Sequence, residues 1–96
     1  MQFLLTAYDG TDNQALERRM KVRPEHLKNV EKMIKDRVFI FGGAILSDEG
    51  QMIGSVILYE FPDRKSLDER LKGEPYIIND VWKKIDIRPF RLAKHV

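Results

Sequence analysis

The sequence MIGSVILYEF, residues 52–61, decides the fold of this chain. Its β-branched and aromatic residues predict a β-strand, in which successive side chains point to opposite faces of a sheet. A strand with one face in water alternates apolar and polar residues. Here apolar side chains fall on both faces, with Ile53, Ile57, Tyr59 and Phe61 on one and Met52, Val56 and Leu58 on the other. We therefore expect a sheet with two covered faces.

Three further segments predict the remaining strands. Residues 37–46 run antiparallel to the strand just quoted, because residues 47–51 form a polar, glycine-containing connection typical of a hairpin loop. Residues 3–8 and 82–90 predict the first and last strands. Apolar side chains again fall on both faces, with Phe39 and Phe41 opposite Val38 and Ile40, and Phe3, Leu5 and Ala7 opposite Leu4 and Tyr8.

Two helices are predicted between the first two strands. Thr11 and Gln14 match a capping box, with Thr11 as the N-cap of a short helix that reaches about Met20. Pro24 suits the first turn of a second helix, where its missing N–H has no partner within the helix. An apolar stripe marks the side of the second helix that we expect to pack inwards: Leu27, Val30 and Ile34, with Met33 alongside.

A further helix is predicted between the third and last strands. Pro62-Asp63 begins it, Gly73 is suited to end it, and Pro75 begins one more helical turn. The order β-α-(α)-β-β-α-β is the split βαβ arrangement of a ferredoxin-like α+β domain. Because the chain shows no linker, repeat or low-complexity tract, we expect a single domain over residues 1–96.

The second apolar face of the predicted sheet needs a cover, because both helices of a ferredoxin-like domain lie on the other face. Each large apolar side chain left in water forfeits about 1.5–3 kcal/mol of burial. A patch of several such residues on a small protein normally marks an interface. We expect a second copy to pack sheet against sheet about a two-fold axis, which gives a homodimer. The alternative is a monomer whose loops or C-terminal segment cover the face.

The charge pattern and composition exclude several classes of protein. The chain carries 17 Lys and Arg against 15 Asp and Glu, with acidic and basic side chains intermixed. Nucleic-acid-binding proteins usually show a coherent basic stripe, so no nucleic-acid partner is expected. No apolar run approaches the roughly 20 residues that cross a bilayer, and the first residues lack the basic start of a signal peptide. We expect a cytoplasmic protein with no membrane partner.

Three residues near the start of the second predicted helix are candidates for chemistry. His26 borders the apolar stripe, where an imidazole can act as a general base or acid, or can simply bond to a backbone group. Asp9 ends the first strand and could fix the tautomer of His26, or could serve only in the Asp-Gly turn. Arg23 could bind an anionic group of a substrate or form a surface ion pair.

Two more candidate positions lie further along the chain. Glu74 precedes Pro75 and Tyr76, where it could stabilise the following turn or pair with His26. Gly42-Gly43 follows a β-type run, and glycine there often marks a bulge or the close approach of a ligand. The pair is not a phosphate loop, because the Lys-Ser/Thr of that motif is missing.

No metal site is expected from the sequence. The chain has no cysteine, and its carboxylates are scattered without the ligand spacing of a zinc site. His26 is its one interior histidine, since the other, His95, is the penultimate residue. No serine lies in the context of a nucleophile elbow, which disfavours a hydrolase with a Ser-His-Asp triad.

The chain resembles the YciI-like (YCII-related) family. The match covers nearly the whole chain through Tyr8-Asp9, Arg23-Pro24-Glu25-His26-Leu27, Phe41-Gly42-Gly43-Ala44, Asp48-Glu49-Gly50, Gly54-Ser55, Glu74-Pro75-Tyr76 and Ile87-Arg88-Pro89-Phe90. The resemblance implies a ferredoxin-like domain that forms a dimeric α+β barrel. It also implies a cleft with a histidine and an acidic residue, here His26 with Asp9 or Glu74. The family usually has Asp at the position of Glu74 and Pro at the position of Ala44.

The resemblance favours a cofactor-free enzyme that transfers a proton on a small aromatic or carboxylate metabolite, as an isomerase or lyase does. It links some members to aromatic-ring breakdown, and the fold is shared with muconolactone isomerases. The predicted site comprises His26, Glu74 and Asp9 as catalytic residues and Arg23, Tyr76 and Gly43 as substrate-binding residues. A non-catalytic module that binds or senses a small molecule in the same cleft, and a structural dimer, are the alternatives.

Overall fold

Residues 1–93, the part of the chain that the computed structural model describes, form four strands and three helices. The strands are β1 (Gln2–Asp9), β2 (Phe39–Leu46), β3 (Met52–Glu60) and β4 (Trp82–Phe90), and the helices are α1 (Ala15–Lys35), α2 (Arg64–Leu71) and α3 (Pro75–Ile78). The strands form one antiparallel sheet in the order β2-β3-β1-β4, which confirms the predicted ferredoxin-like α+β fold. His95 lies outside the described residues. None of these helices is both long and apolar enough to cross a membrane.

The helices pack on one face of the sheet. The core between them consists of alternate residues of β1 and β3 together with the inward side chains of the helices. Its members include Phe3, Leu5, Ala7, Ile57 and Tyr59 from the strands and Met33, Leu67, Leu71 and Tyr76 from the helices. Each of these residues is at most 6% exposed. The alternation predicted for β1 and β3 therefore places the expected residues in the core, except Ile53, which is 38% exposed.

The opposite face of the sheet is also apolar in its middle. The strand register places Leu58 between Leu4 and Phe41 on this face. Leu58 is fully buried although it does not belong to the core under the helices, whereas Tyr8 and Phe41 are 45% and 42% exposed. The apolar area ends at β4, which contributes a charged row to this face: Lys84, Asp86 and Arg88. The expectation of a sheet that is apolar on both faces therefore holds for β1, β2 and β3.

α1 is one continuous helix of 21 residues, whereas the sequence pattern predicts two. The predicted N-cap at Thr11 is wrong, because the N-cap residue is Gln14 and its side chain makes no capping hydrogen bond. Pro24 lies inside the helix, where it removes one backbone hydrogen bond. The helix continues because Arg19 and His26, on either side of Pro24, are both buried, and packing supplies most helical stability in proteins.

The buried side of α1 is turned by one residue relative to the predicted apolar stripe. Met33, which was predicted alongside the stripe, is buried as expected, but Leu27 and Ile34 are 40% and 53% exposed, and His26, just before Leu27, is buried. One residue corresponds to a rotation of about 100° around a helix. The predicted stripe follows the more apolar of two neighbouring positions. A charged or polar side chain can take the inward position when it has buried hydrogen-bond partners, and His26 has such a partner.

A bulge in β2 separates its two phenylalanines. Phe39 pairs with Tyr59 and Phe41 pairs with Leu58, so β2 contains one more residue than β3 over this stretch. The prediction that Phe39 and Phe41 share a face is therefore wrong, since Phe39 packs against the core and Phe41 lies on the opposite face. At Gly42 a Cβ would lie 2.6 Å from Cζ of Phe39, so any side chain there would displace that ring.

The segment after β3 follows the predicted pattern. Asp63 caps α2 by accepting a backbone hydrogen bond of 2.8 Å, and Gly73 follows the C-cap residue of that helix. Pro75 begins the short helix α3, as predicted. Glu74 is the N-cap residue of α3, and its Oε2 accepts the N–H of Tyr76 at 2.8 Å. This cap fixes the position of a buried carboxylate beside α1.

Candidate functional site

A cleft of about 170 Å³ lies between α1 and the strands β2 and β3. The polar side chains that line it are Arg19, Arg23, His26, Ser55 and Tyr76, and the glycines Gly42 and Gly43 form part of its wall. Four of the predicted site residues are thus brought together here: His26, Arg23, Tyr76 and Gly43. The other two, Glu74 and Asp9, are buried carboxylates that do not line the cleft.

Glu74 pairs with His26 on the side of the ring that faces away from the cleft. The Nδ1 atom of His26 lies 2.9 Å from Oε2 of Glu74, and the two side chains are 10% and 2% exposed. The same carboxylate accepts the backbone N–H of Tyr76 at 2.8 Å and the Nδ2 of Asn29 at 3.5 Å. Because an ionised carboxylate only accepts, Nδ1 of His26 carries the hydrogen of this bond. Nε2 then holds a lone pair and makes no hydrogen bond with the described residues.

The two interpretations of Glu74 that the sequence left open therefore apply together, since the carboxylate caps α3 and pairs with His26. The ring of His26 is also fixed in orientation by its aromatic neighbours. It stacks on Tyr76 with ring centroids 4.0 Å apart and planes 12° from parallel, and it makes a T-shaped contact with Trp82, with ring centroids 6.2 Å apart. Burial raises the pKa of Tyr76, which keeps its phenol protonated at neutral pH.

Asp9 pairs with Arg19 rather than with His26. Nη1 of Arg19 donates to both carboxylate oxygens of Asp9, at 3.0 and 3.1 Å, and both side chains are 3% exposed. Burial raises the pKa of Asp9, and the hydrogen bonds and charge of Arg19 oppose this shift. The sequence interpretation in which Asp9 orients His26 therefore has no geometric support, and the position of Asp9 is explained by its arginine.

Ser55 links this ion pair to the aromatic residues. Its Oγ accepts hydrogen bonds from Nη2 of Arg19 at 2.8 Å and from Nε1 of Trp82 at 3.1 Å. The guanidinium of Arg19 lies over the ring of Tyr76, with Cζ 4.7 Å from the ring centroid. Tyr76 therefore lies between His26 on one side and Arg19 on the other. These contacts connect five side chains beside the cleft: Arg19, Ser55, Trp82, Tyr76 and His26.

Arg23 and Gly43 complete the cleft in different ways. Arg23 lines it and takes part in none of the ion pairs found within residues 1–93, so its positive charge is available to an anion. A Cβ at Gly43 would meet nothing within 4 Å, so this glycine leaves the wall open without being required by packing. No group of three or more His, Cys, Asp or Glu residues in this part of the chain is placed to hold a metal ion.

Sequence reasoning missed Arg19, Ser55 and Trp82. The signal for Arg19 was its spacing, since Arg19, Arg23 and His26 stand at i, i+4 and i+7 of one helix. Dividing the pattern at Pro24 assigns Arg19 to a different helix from His26. Ser55 occurs in the Gly54-Ser55 element of the family resemblance, which gives it no role, and Trp82 has no local signal, because both meet their partners only in the folded sheet.

Comparison with known sequences gives one family and several relatives. A model of the YCII-related domain matches residues 1–91. The protein YciI of Escherichia coli is 25% identical over 97 residues, which is 95% of this chain and 97% of that protein. The aspercryptin biosynthesis cluster protein B of Emericella nidulans is 28% identical over 74 residues, covering 70% of this chain and 47% of that protein.

Comparison with solved structures gives the same fold. The 5-chloro-2-hydroxyhydroquinone dehydrochlorinase of Burkholderia phenoliruptrix, solved with 2,5-dihydroxybenzoquinone, superposes with a TM-score of 0.82 at 18% identity, over 97% of this chain and 96% of that chain. A dimeric ferredoxin-like protein from an uncultured marine organism gives a TM-score of 0.59 at 15% identity, over 99% and 97% of the two chains. At these identities the likeness establishes the fold.

Proposed function

The chain belongs to the YCII-related family, and from this premise we propose that its cleft binds a small aromatic or carboxylate metabolite and transfers a proton on it without a cofactor. The observation that carries the proposal is the pair formed by His26 and Glu74. Glu74 fixes the Nδ1–H tautomer of His26, so the basic Nε2 belongs to the side of the ring that is free to meet a ligand.

The proposed step is the removal of a proton from carbon next to a carbonyl group. The C–H bond breaks, the proton goes to Nε2 of His26, and the electron pair moves towards the carbonyl oxygen as the enolate forms. Glu74 stabilises the imidazolium that results, because its carboxylate already holds the other ring nitrogen. Return of the proton to a different atom gives an isomerisation, and departure of a leaving group with its electron pair gives an elimination.

The proposed substrate class follows from what lines the cleft. Arg23 offers an unpaired positive charge to a carboxylate or phenolate, and the half-buried Phe39 offers aromatic surface. A structure with the same fold is that of a dehydrochlorinase in complex with 2,5-dihydroxybenzoquinone. We therefore propose hydroxylated aromatic acids and hydroxyquinones as the first compounds to test. The likeness to a biosynthesis cluster protein is consistent with the same range of small molecules.

The deciding experiment is a screen of these compounds for solvent exchange. We expect the protein to catalyse exchange of a C–H hydrogen for deuterium in at least one compound. Proton NMR in deuterated water measures this exchange as loss of the C–H signal. His26→Ala should lower this rate by about 10²- to 10⁴-fold, the usual contribution of a general base. Lys35→Ala, at an exposed position of the same helix, is the matched control and should exchange at the wild-type rate.

Each other outcome of the screen has a definite meaning. A His26→Ala variant that exchanges as fast as the wild type, with an unchanged circular dichroism spectrum, would rule out the proposed base. Ligand binding with no exchange in any compound would assign the protein to the non-catalytic alternative. In that case a ligand at 100 times its dissociation constant still stabilises the fold by about 2.7 kcal/mol, which a thermal shift detects.

We also propose that the protein is a homodimer closed over the second face of the sheet. Phe41 and Tyr8 are 42% and 45% exposed there, and a dimeric ferredoxin-like protein shares the fold. Light scattering should give twice the chain mass of 11.3 kDa. Phe41→Glu should reduce the mass to that of one chain, while Ile34→Glu, at a 53% exposed position of α1, should not. A wild-type mass of one chain at micromolar concentration excludes the dimer.

A further inference from the structure

The hydroxyl group of Ser55 has both of its acceptor positions filled. Its Oγ accepts one hydrogen bond from Nη2 of Arg19 at 2.8 Å and another from Nε1 of Trp82 at 3.1 Å. A guanidinium group and an indole N–H can only donate, so the direction of both bonds is fixed by chemistry. A serine oxygen has two lone pairs and one O–H bond. The O–H is therefore the only group that Ser55 has left to offer.

The hydrogen of this hydroxyl has no acceptor in the part of the chain that the structure describes, where Ser55 takes part in hydrogen bonds only as the acceptor. Ser55 is 2% exposed, and the surface that remains lines the cleft beside Tyr76 and His26. A buried donor without an acceptor is unfavourable. A molecule in the cleft can supply the missing acceptor.

We propose that Ser55 donates its hydroxyl hydrogen to an oxygen atom of the bound molecule and so selects for ligands with a carbonyl or oxyanion at that point. This inference rests on the proposed function and adds to it a residue that determines specificity. A ligand that places an N–H or O–H donor against Ser55 finds no lone pair to receive it. Selection at this point depends on the direction of a hydrogen bond, because Asp9 already neutralises the charge of Arg19.

The surroundings of Ser55 make its hydroxyl a strong donor. Arg19 is a charged donor, and hydrogen bonds in a chain polarise one another, so a bond accepted from a cation strengthens the bond that the same hydroxyl donates. In the proposed reaction the oxygen that accepts from Ser55 is the carbonyl oxygen that becomes the enolate when His26 takes the proton. The hydrogen bond then strengthens as negative charge develops on that oxygen, which favours the transition state.

The experiment is a titration of the full-length protein with 2,5-dihydroxybenzoquinone, combined with infrared spectra of the bound quinone. We compare the wild type with Ser55→Ala and with Ser55→Thr, which keeps the hydroxyl group. Ser55→Ala should weaken binding by about 10-fold, as expected for loss of one hydrogen bond. The carbonyl stretching band of the bound quinone should move to higher frequency in Ser55→Ala and stay at the wild-type frequency in Ser55→Thr.

Trp82→Phe separates this role from a structural one, because it removes one donor to Ser55 and leaves the hydroxyl hydrogen in place. We expect this variant to keep the wild-type carbonyl frequency, whatever its melting temperature. A Ser55→Ala variant with unchanged affinity and frequency would overturn the role of Ser55 and leave the proposed function standing. If the wild type binds neither the quinone nor any compound of the exchange screen, the proposed function fails, and this inference fails with it.

Discussion

The two buried carboxylates behind the cleft, Asp9 and Glu74, differ in the cation that each one meets. Asp9 is held by Arg19, whose charge is permanent, through two contacts of 3.0 and 3.1 Å. Glu74 is held by His26, whose imidazole can serve as a general acid or base, at 2.9 Å. Both carboxylates are almost fully buried, so burial alone does not distinguish their roles.

The partner of a buried carboxylate decides what the pair can do. A carboxylate paired with arginine fixes geometry and has no proton to exchange in the working range of pH. A carboxylate paired with histidine can stabilise either protonation state of the ring and so support proton transfer. The sequence presented Asp9 and Glu74 as equal candidates, and the structure separates them by their neighbours.

The largest effect is expected when the arginine pair is broken. Asp9→Asn leaves the guanidinium of Arg19 buried without a counter-charge, which should lower the free energy of unfolding by about 3–5 kcal/mol. Urea unfolding followed by circular dichroism measures this loss. Since burial raises the pKa of Asp9 in spite of Arg19, desolvation outweighs the attraction within the pair. The double variant Asp9→Leu, Arg19→Met should therefore recover most of the lost free energy of unfolding. A double variant that is less stable than Asp9→Asn would contradict this account.

A smaller effect on stability, but a clear one on turnover, is expected at the histidine pair. Glu74→Gln keeps an oxygen to accept from His26 and from the N–H of Tyr76, so stability should fall by only about 1 kcal/mol. The neutral amide cannot stabilise the imidazolium, so proton exchange should slow by about 10²-fold. Equal losses of stability in Asp9→Asn and Glu74→Gln would remove the distinction between the two pairs.

The smallest effect on the stability of the fold is expected from substitution of Arg18, the residue next to Arg19 in α1. Arg18 donates to the exposed Asp12 at 2.8 Å and lowers the pKa of Asp12 to about 2. A lowered pKa stabilises the fold above the unfolded value of 3.8, and this contribution disappears as the pH falls towards 2. Arg18→Ala should return the pKa of Asp12 towards 3.8, as measured by NMR titration, without the loss of stability seen at Asp9. An unchanged pKa would mean that Arg18 does not cause the shift.

The strands and their order could be predicted from the sequence because their apolar residues alternate and their connections are polar. The pairing of Glu74 with His26 was one of two stated possibilities, since both residues have recognisable local contexts. Arg19 was missed for a physical reason. Pro24 is a local signal to begin a helix, but buried contacts before and after it hold α1 together, and these depend on the folded sheet.

The bulge in β2 was outside the reach of the sequence pattern for a related reason. Strict alternation assigns Phe39 and Phe41 to one face of the sheet. One inserted residue moves Phe41 to the opposite face. The bulge becomes visible only when Phe39 is paired with Tyr59 and Phe41 with Leu58. Gly42 gave a hint, because a glycine within a strand often accompanies a bulge.

The position of Trp82 makes it an intrinsic fluorescent probe of the cleft. It is the single tryptophan of the sequence, it is 4% exposed, and its indole N–H is bonded to the hydroxyl that lines the cleft. Its ring also makes a T-shaped contact with Tyr76, with ring centroids 5.5 Å apart. Fluorescence excited at the indole band therefore comes from one place in the molecule, within contact of the site. Unfolding, occupancy of the cleft and the rates of both can be followed by emission from the unlabelled protein.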